Sequence, residues 1–213
     1  EQKQALEASG LEAECFNILF PKTMNLVDGS TDPAALRAYL EKAMTLIAEL
    51  NGKIVVFGSG KCRTCPPDLC YIDAYRRLTG EIAARYGITV VIEPLSRKET
   101  NLICTMAEGA LLQKDVGREN VGLLSDYFHV CANGDAVNDM RIIRDFGHIH
   151  IASGNGRRYP LPGDGEAYTD FFSALKAVGY NVRMSIEGKT DDMETDAKAA
   201  LACLKQWEAN AAV

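Results

Sequence analysis

Four residues able to hold a metal ion recur at similar intervals along this 213-residue chain: Glu93, Asp126, His150 and Glu187. The gaps between them are 33, 24 and 37 residues, close to the roughly 31 residues per βα unit of a 250-residue barrel. Three carboxylates and one imidazole make a mainly oxygen donor set. It suits a hard divalent ion, Mn2+ first, with Mg2+, Co2+ or Zn2+ as alternatives, and is unlike the thiolate-rich set of a closed structural zinc site. Such an ion can chelate a carbonyl oxygen and the neighbouring hydroxyl of a small sugar, polarise the carbonyl, and stabilise the enediolate left when the adjacent C–H loses its proton. Proton movement needs a carboxylate above or below that carbon, and Glu93 and Glu187 are the candidates for the two faces.

Each residue also has a plainer reading. Glu93, before Pro94, could be a solvated strand-end charge; Asp126 could cap a following helix; Glu187 could be a surface carboxylate beside Gly188-Lys189-Thr190. His148 and His150 lie two apart and therefore share a strand face. His150, nearer the C-terminal end of its run, is the expected ligand, with His148 as a deeper polar residue.

The elements that must position these groups follow from hydropathy. Six short apolar runs rich in β-branched residues read as strands: Leu11–Asn17, Lys53–Phe57, Ile88–Ile92, Val121–Leu124, His148–Ile151 and Arg183–Ile186. Between them lie helical patterns at Asp32–Leu50, Ile72–Tyr86, Met106–Val116, Asp135–Arg144, Tyr168–Val178 and Met193–Ala209. Glycines at Gly10, Gly87 and Gly179 precede strands as helix stops. This alternation marks βαβ units and a parallel sheet. Periodicity alone does not separate an open sheet from a closed barrel, but polar groups gathered at successive strand ends favour the barrel, where βα loops converge on one pocket. No linker or low-complexity tract divides residues 1–213, so one domain is expected.

Composition bounds the partners. The chain is 47% hydrophobic and 24% charged, with net charge -6 and pI near 5.2, so it lacks the basic surface that nucleic acid requires. No apolar run approaches the roughly 20 residues of a membrane span, and the N-terminus has no signal-peptide pattern; a soluble, cytoplasmic protein is expected. Seven scattered cysteines, an odd number, read as reduced thiols and not as a disulfide framework. Cys62-Arg63-Thr64-Cys65 through Cys70 has a genuine ligand spacing, but no second C-x-x-C or H-x-x-H completes a site, so it is not expected to bind metal. Gly58-Ser59-Gly60 reads as a turn that could also approach a ligand, and Lys61, Arg63, Arg157 and Arg158 as cations for a phosphate or for sugar hydroxyls.

The segment Ile92-Glu93-Pro94-Leu95-Ser96-Arg97-Lys98-Glu99-Thr100-Asn101 resembles the EPLxRxETN motif of the sugar phosphate isomerase/epimerase superfamily, the xylose isomerase-like TIM barrels that include the D-tagatose and D-psicose 3-epimerases. Ser125-Asp126-Tyr127-Phe128-His129 is similar to its D-x-x-H strand end, His148-Ile149-His150-Ile151-Ala152 with Arg157 to HxHxA…R, and Gly179-Tyr180 through Ser185-Ile186-Glu187-Gly188 to GYxxxxSIEG. The resemblance runs from about Leu11 to Lys205. It implies a (β/α)8 barrel, metal ligation by Glu93, Asp126, His150 and Glu187, and contacts from Glu99, His129 and Arg157 to a sugar substrate, with Arg158 competing for the arginine role. It further implies that Leu11–Asn17 is the third strand, the first two being absent from the chain given, and that dimers or tetramers form. An isomerase or epimerase is the leading expectation. An inosose-type dehydratase and a non-catalytic sugar-binding barrel are the alternatives, while an endonuclease-IV-like enzyme would need more than the three histidines present.

Overall fold

The computed structural model describes residues 2–65, 73–143 and 146–212. Six parallel strands pair in chain order: β1 (Cys15–Phe16), β2 (Ile54–Phe57), β3 (Thr89–Ile92), β4 (Val121–Asp126), β5 (Phe146–Ile151) and β6 (Met184–Ile186). The helices are α1 (Gln2–Ser9), α2 (Pro33–Glu49), α3 (Asp73–Arg85), α4 (Met106–Val116), α5 (Tyr127–Asn133), α6 (Thr169–Ala177) and α7 (Met193–Asn210). Strictly sequential parallel pairing with helices between the strands is the winding of a barrel wall, here an arc of six strands.

The two faces of the arc differ. On the helix side, Val55, Phe57, Val90, Ile92, Leu123, Ile149 and Ile151 join Leu40, Met44, Ile82, Phe171, Leu175 and Leu204 in one large core. Full burial of such side chains is worth about 1.5–3 kcal/mol each, so this layer supplies most of the apolar stabilisation. On the concave side Val56, Val91 and Leu124 form a small separate cluster edged by Cys15 and Ile54. Strand alternation of period two then puts Gly58, Glu93, Asp126 and His150 on the concave side as well.

Local signals account for the element ends. Asp32 caps α2 by accepting from Ala34 and Ala35 N–H at 3.3 Å, with Pro33 in the first turn. Thr105 and Glu108 form a reciprocal capping box on α4. Gly87 and Gly179 take the left-handed conformation expected of helix stops. Three elements differ from the sequence expectation. β1 is confined to Cys15–Phe16 and pairs only with β2 among the described residues. The stretch expected as a helix over Asp135–Arg144 is a 3-10 turn over Val137–Ile142; α5, unanticipated, uses the preceding residues and ends at left-handed Gly134, leaving little chain before β5. Between β4 and β5 the register slips: Leu123 pairs with Phe146 but Leu124 with His148, so Gly147 is an extra residue.

Candidate metal centre

Donor atoms of Glu93, Asp126, His150 and Glu187 all lie within 4.8 Å of one another. Glu93 follows the last residue of β3, Asp126 ends β4, His150 sits opposite Asp126 on β5, and Glu187 follows β6. The first three are buried, whereas the Glu187 side chain keeps 28% exposure and forms the mouth of the group. His150 Nδ1 lies 3.3 Å from Glu93 Oε1 and 3.1 Å from Glu187 Oε2. Asp126 divides its oxygens: Oδ1 accepts from Phe128 N–H at 2.9 Å and caps α5, while Oδ2 faces the cluster. The capping and ligand readings of this residue are therefore compatible.

Neighbouring chain holds the carboxylates in place. A Cβ added at Gly58 would overlap Glu93 Oε2, so the glycine after β2 leaves the space that the glutamate occupies. Arg63, 0% exposed, donates to the carbonyls of Phe57 at 3.2 Å, Glu93 at 2.6 Å and Ile103 at 3.4 Å, and its guanidinium stacks on Phe57. It ties the ends of β2 and β3 together from behind the site, and is thus a structural clamp and not the phosphate or sugar contact considered from sequence. Asn17, just past β1, donates to Glu187 Oε1 at 2.6 Å. Gly58 and Arg63 read from sequence in other roles, as part of a ligand-approaching turn and as a substrate cation, and Asn17 escaped sequence reasoning as a site residue. Asn17 did carry a signal, since it too ends a strand run on the C-terminal side.

Arg157 enters from the loop after β5. Its Nη2 lies 3.3 Å from Asp126 Oδ2 and 2.5 Å from Glu187 Oε2, and its guanidinium stacks over Phe128 at 4.9 Å. Arg158 turns away to an exposed pair with Asp191 at 2.7 Å, so geometry places Arg157 at the centre. Ser153 Oγ and Asn155 N–H both donate to Glu166 Oε1, at 3.0 and 2.9 Å, pinning that loop. His129 accepts from Ser96 N–H through Nδ1 at 3.1 Å. Its proton is therefore on Nε2, which is buried without a hydrogen-bond partner among the described residues, 3.9 Å from Glu93 and 3.7 Å from Asp126. Glu99 is the more open member, 3.8 Å from His129 and 3.9 Å from Arg157. Lys61 lies on the rim of the same pocket.

Electrostatics match a cation-binding cluster. Burial, then the charge of Glu93, pushes the Asp126 carboxyl up to about 7. Burial acts against charge on His150, but the nearby Cys15 sulfur and the carboxylates of Glu187 and Glu93 outweigh it and push the imidazole up to about 12. Burial likewise opposes the charge of Glu187, yet contacts with His150 and Arg157 hold it below its ordinary value. His129 is driven down to about 3 by burial and the Arg157 charge, and is neutral. Asp126 and His150 thus carry protons inside the group, and a divalent ion would take their place by displacing them. The donor set and its charge balance fit a hard divalent metal.

The cluster opens into a cavity of about 350 Å³ lined by Ser59, Gly60, Glu99, His129 and Arg157 with both glutamates, inside the range of about 300–1,000 Å³ usual for small-molecule sites. A larger cavity of about 780 Å³ lies at the opposite, N-terminal ends of β3 to β5. Cys62 is buried with Sγ donating to the Pro21 carbonyl at 3.1 Å. Neither Cys62 nor Cys65 joins a metal-capable group among the described residues, and Cys70 lies outside them.

The sequence model of the xylose isomerase-like TIM barrel matches residues 1–207. The chain belongs to that family. Among curated relatives, D-psicose 3-epimerase of Agrobacterium fabrum (strain C58) is 30% identical over 185 residues, covering 78% of this chain and 61% of the relative. The 3-dehydro-D-guloside 4-epimerase of Escherichia coli (strain K12) is 26% identical over 167 residues, covering 70% and 62%. The chain thus spans about three fifths of their length. A solved L-ribulose 3-epimerase superposes with a TM-score of 0.81 at 22% identity, over 97% of this chain and 78% of that one, a likeness of fold. No helix of the described residues is long and apolar enough to cross a membrane.

Proposed function

We propose that this family member is a divalent-metal-dependent epimerase of a keto-sugar, with Glu93, Asp126, His150 and Glu187 as ligands and residues 1–213 forming part of a single barrel domain. The observation that carries the reading is the convergence of three acids and one imidazole on a sugar-sized cavity at the C-terminal strand ends. The names of the two relatives support it: a ketose 3-epimerase and a 3-dehydro-sugar 4-epimerase both invert a carbinol carbon adjacent to a ketone, which is the carbon whose proton an enediolate route removes.

A bound divalent ion supplies Lewis-acid polarisation of the ketone and steadies the charge of the sugar enediolate. Mn2+ is the first choice, and Mg2+, Co2+ or Zn2+ also suit the set. Glu93 and Glu187 come from strands three apart and are assigned to opposite faces of the sugar, one removing the proton and the other returning it. The neutral His129 offers Nε2–H to a sugar oxygen. Arg157 offers its guanidinium to another oxygen, held flat by Phe128, and Glu99 accepts from a hydroxyl near the mouth. Arg157 also keeps Glu187 ionised, and so able to act as a base.

The test is solvent-proton exchange. With Mn2+ and a panel of ketoses in D2O, the protein is expected to introduce deuterium beside the carbonyl, and Glu93→Gln is expected to abolish exchange while keeping the far-ultraviolet circular dichroism. Loss of water from the sugar in mass spectra would identify the dehydratase alternative. Failure to bind any divalent ion would identify the non-catalytic one.

A further inference from the structure

Immediately beneath the acidic ligands, on the concave face, lies a second group of donors with different chemistry. Cys15 of β1, His148 of β5 and His150 each offer an atom within 4.8 Å of the others, and Val56, Val91 and Leu124 border the layer with apolar side chains. From this juxtaposition we propose that Cys15, His148 and His150 form a second site for a thiophilic cation such as Zn2+ or Cd2+, lying under the oxygen-rich centre and competing with it for His150.

Three features carry the assignment. The donor set is one sulfur and two imidazoles, which selects soft and borderline ions just as the carboxylates above select hard ones. His148 has its Nε2 2.8 Å from Ser185 Oγ, and in the tautomer that donates to that hydroxyl Nδ1 carries the lone pair. A partner on the remote ring nitrogen is the usual device that fixes a ligating histidine. His150 turns Nδ1 to Glu93 and Glu187, while Nε2 is buried with no hydrogen-bond partner among the described residues. The two rings meet edge to face at 5.3 Å and 90°. Three protein donors leave one tetrahedral position for water. The thiol is half-buried, and on binding it and His150 Nε2 each release a proton to solvent, leaving thiolate and a neutral imidazole as ligands. A neutral imidazole has one lone pair, so a soft ion held through Nε2 takes His150 from the upper centre. The lower site is thereby a point at which thiophilic metals inhibit the protein.

The test is a Cd2+ titration of the intact protein followed by the ultraviolet thiolate-to-metal charge-transfer band. Wild type is expected to show one equivalent that Cys15→Ser and Cys15→Ala both lose, each retaining the wild-type circular dichroism, and that His148→Asn weakens at least tenfold. Asp126→Asn, which disables the upper ligand set, is expected to leave this band in place, so the outcome is independent of the epimerase reading. A band of equal amplitude in wild type and both Cys15 variants would overturn the proposal. So would a Cys15-dependent band whose affinity is indifferent to His148, because that describes an isolated thiol.

Discussion

Loading of the centre with Mn2+ should release protons in a number set by its two perturbed groups. In the metal-free protein His150, raised to about 12, carries a proton throughout the neutral range, and Asp126, raised to about 7, is half protonated at neutrality. Both must be bare to ligate. Binding is therefore expected to release about two protons at pH 6 and about one at pH 8. The sign is fixed: lowering the pH adds protons to be displaced and weakens binding. From pH 8 to pH 6 the His150 proton costs two decades of apparent affinity and the Asp126 proton one more. The total is about a thousandfold, or about 4 kcal/mol. Titration calorimetry in buffers of different ionisation enthalpy counts the protons directly. Asp126→Asn removes the titrating acid and should give about one proton at both pH values, with weaker binding. A count near zero at both would refute the picture of Asp126 and His150 holding protons in place of the ion.

Gly58→Ala should leave the helix layer intact but push Glu93 out of its seat, lowering Mn2+ affinity at least tenfold, with little change in metal-free melting; unchanged affinity would show that Glu93 has room to move. Arg63→Met deprives the carbonyls of Phe57, Glu93 and Ile103 of a buried donor and should destabilise by about 1–3 kcal/mol, read as a lowered urea midpoint, while Arg63→Lys recovers only part of the loss because one ammonium cannot span three acceptors. Removing metal with a chelator should lower the melting temperature: at a hundredfold excess over Kd the ion contributes about 2.7 kcal/mol, equivalent to about 5–10 °C in a chain of this size, and Glu187→Ala should shrink that increment.

The parts of the site that sequence reveals are those whose chemistry is unusual for their place in the strand. Glu93, Asp126, His150 and Glu187 are polar groups at the ends of apolar runs, and their spacing follows from the βα period, so their convergence is legible before any coordinates. The expectation of His150 over His148 follows from its place nearer the C-terminal end of a strand face that both share, and His148 Nε2 lies beside Ser185 Oγ. Other features depend on contacts between segments far apart in the chain. Gly58 reads as one turn glycine among many, because its reason is the Glu93 carboxylate 35 residues on. Arg63 reads as a cation for a phosphate or for sugar hydroxyls; only the packing of β2 against β3 turns it onto backbone carbonyls. Arg157 and Arg158 are indistinguishable by type, and the left-handed backbone at Arg157 separates their directions. The helix α5 was hidden because Asp126 is at once strand end, cap and site residue.

The extra residue at Gly147 has a consequence for insertions and deletions. In a regular ladder Leu124 would pair with Gly147 and Asp126 with Ile149, and paired residues point to the same side of the sheet. While Leu124 and Asp126 faced inward, both imidazoles of β5 would then face outward into the helix layer. The one-residue slip inverts this, and Gly147 fits because its neighbour is Val91, whose Cγ1 would lie 2.6 Å from any Cβ. Closing the slip at unchanged chain length would therefore exchange imidazoles for isoleucines on the inner wall, whereas deletion of Gly147 itself would leave a regular ladder with His148 still opposite Leu124 and His150 still opposite Asp126.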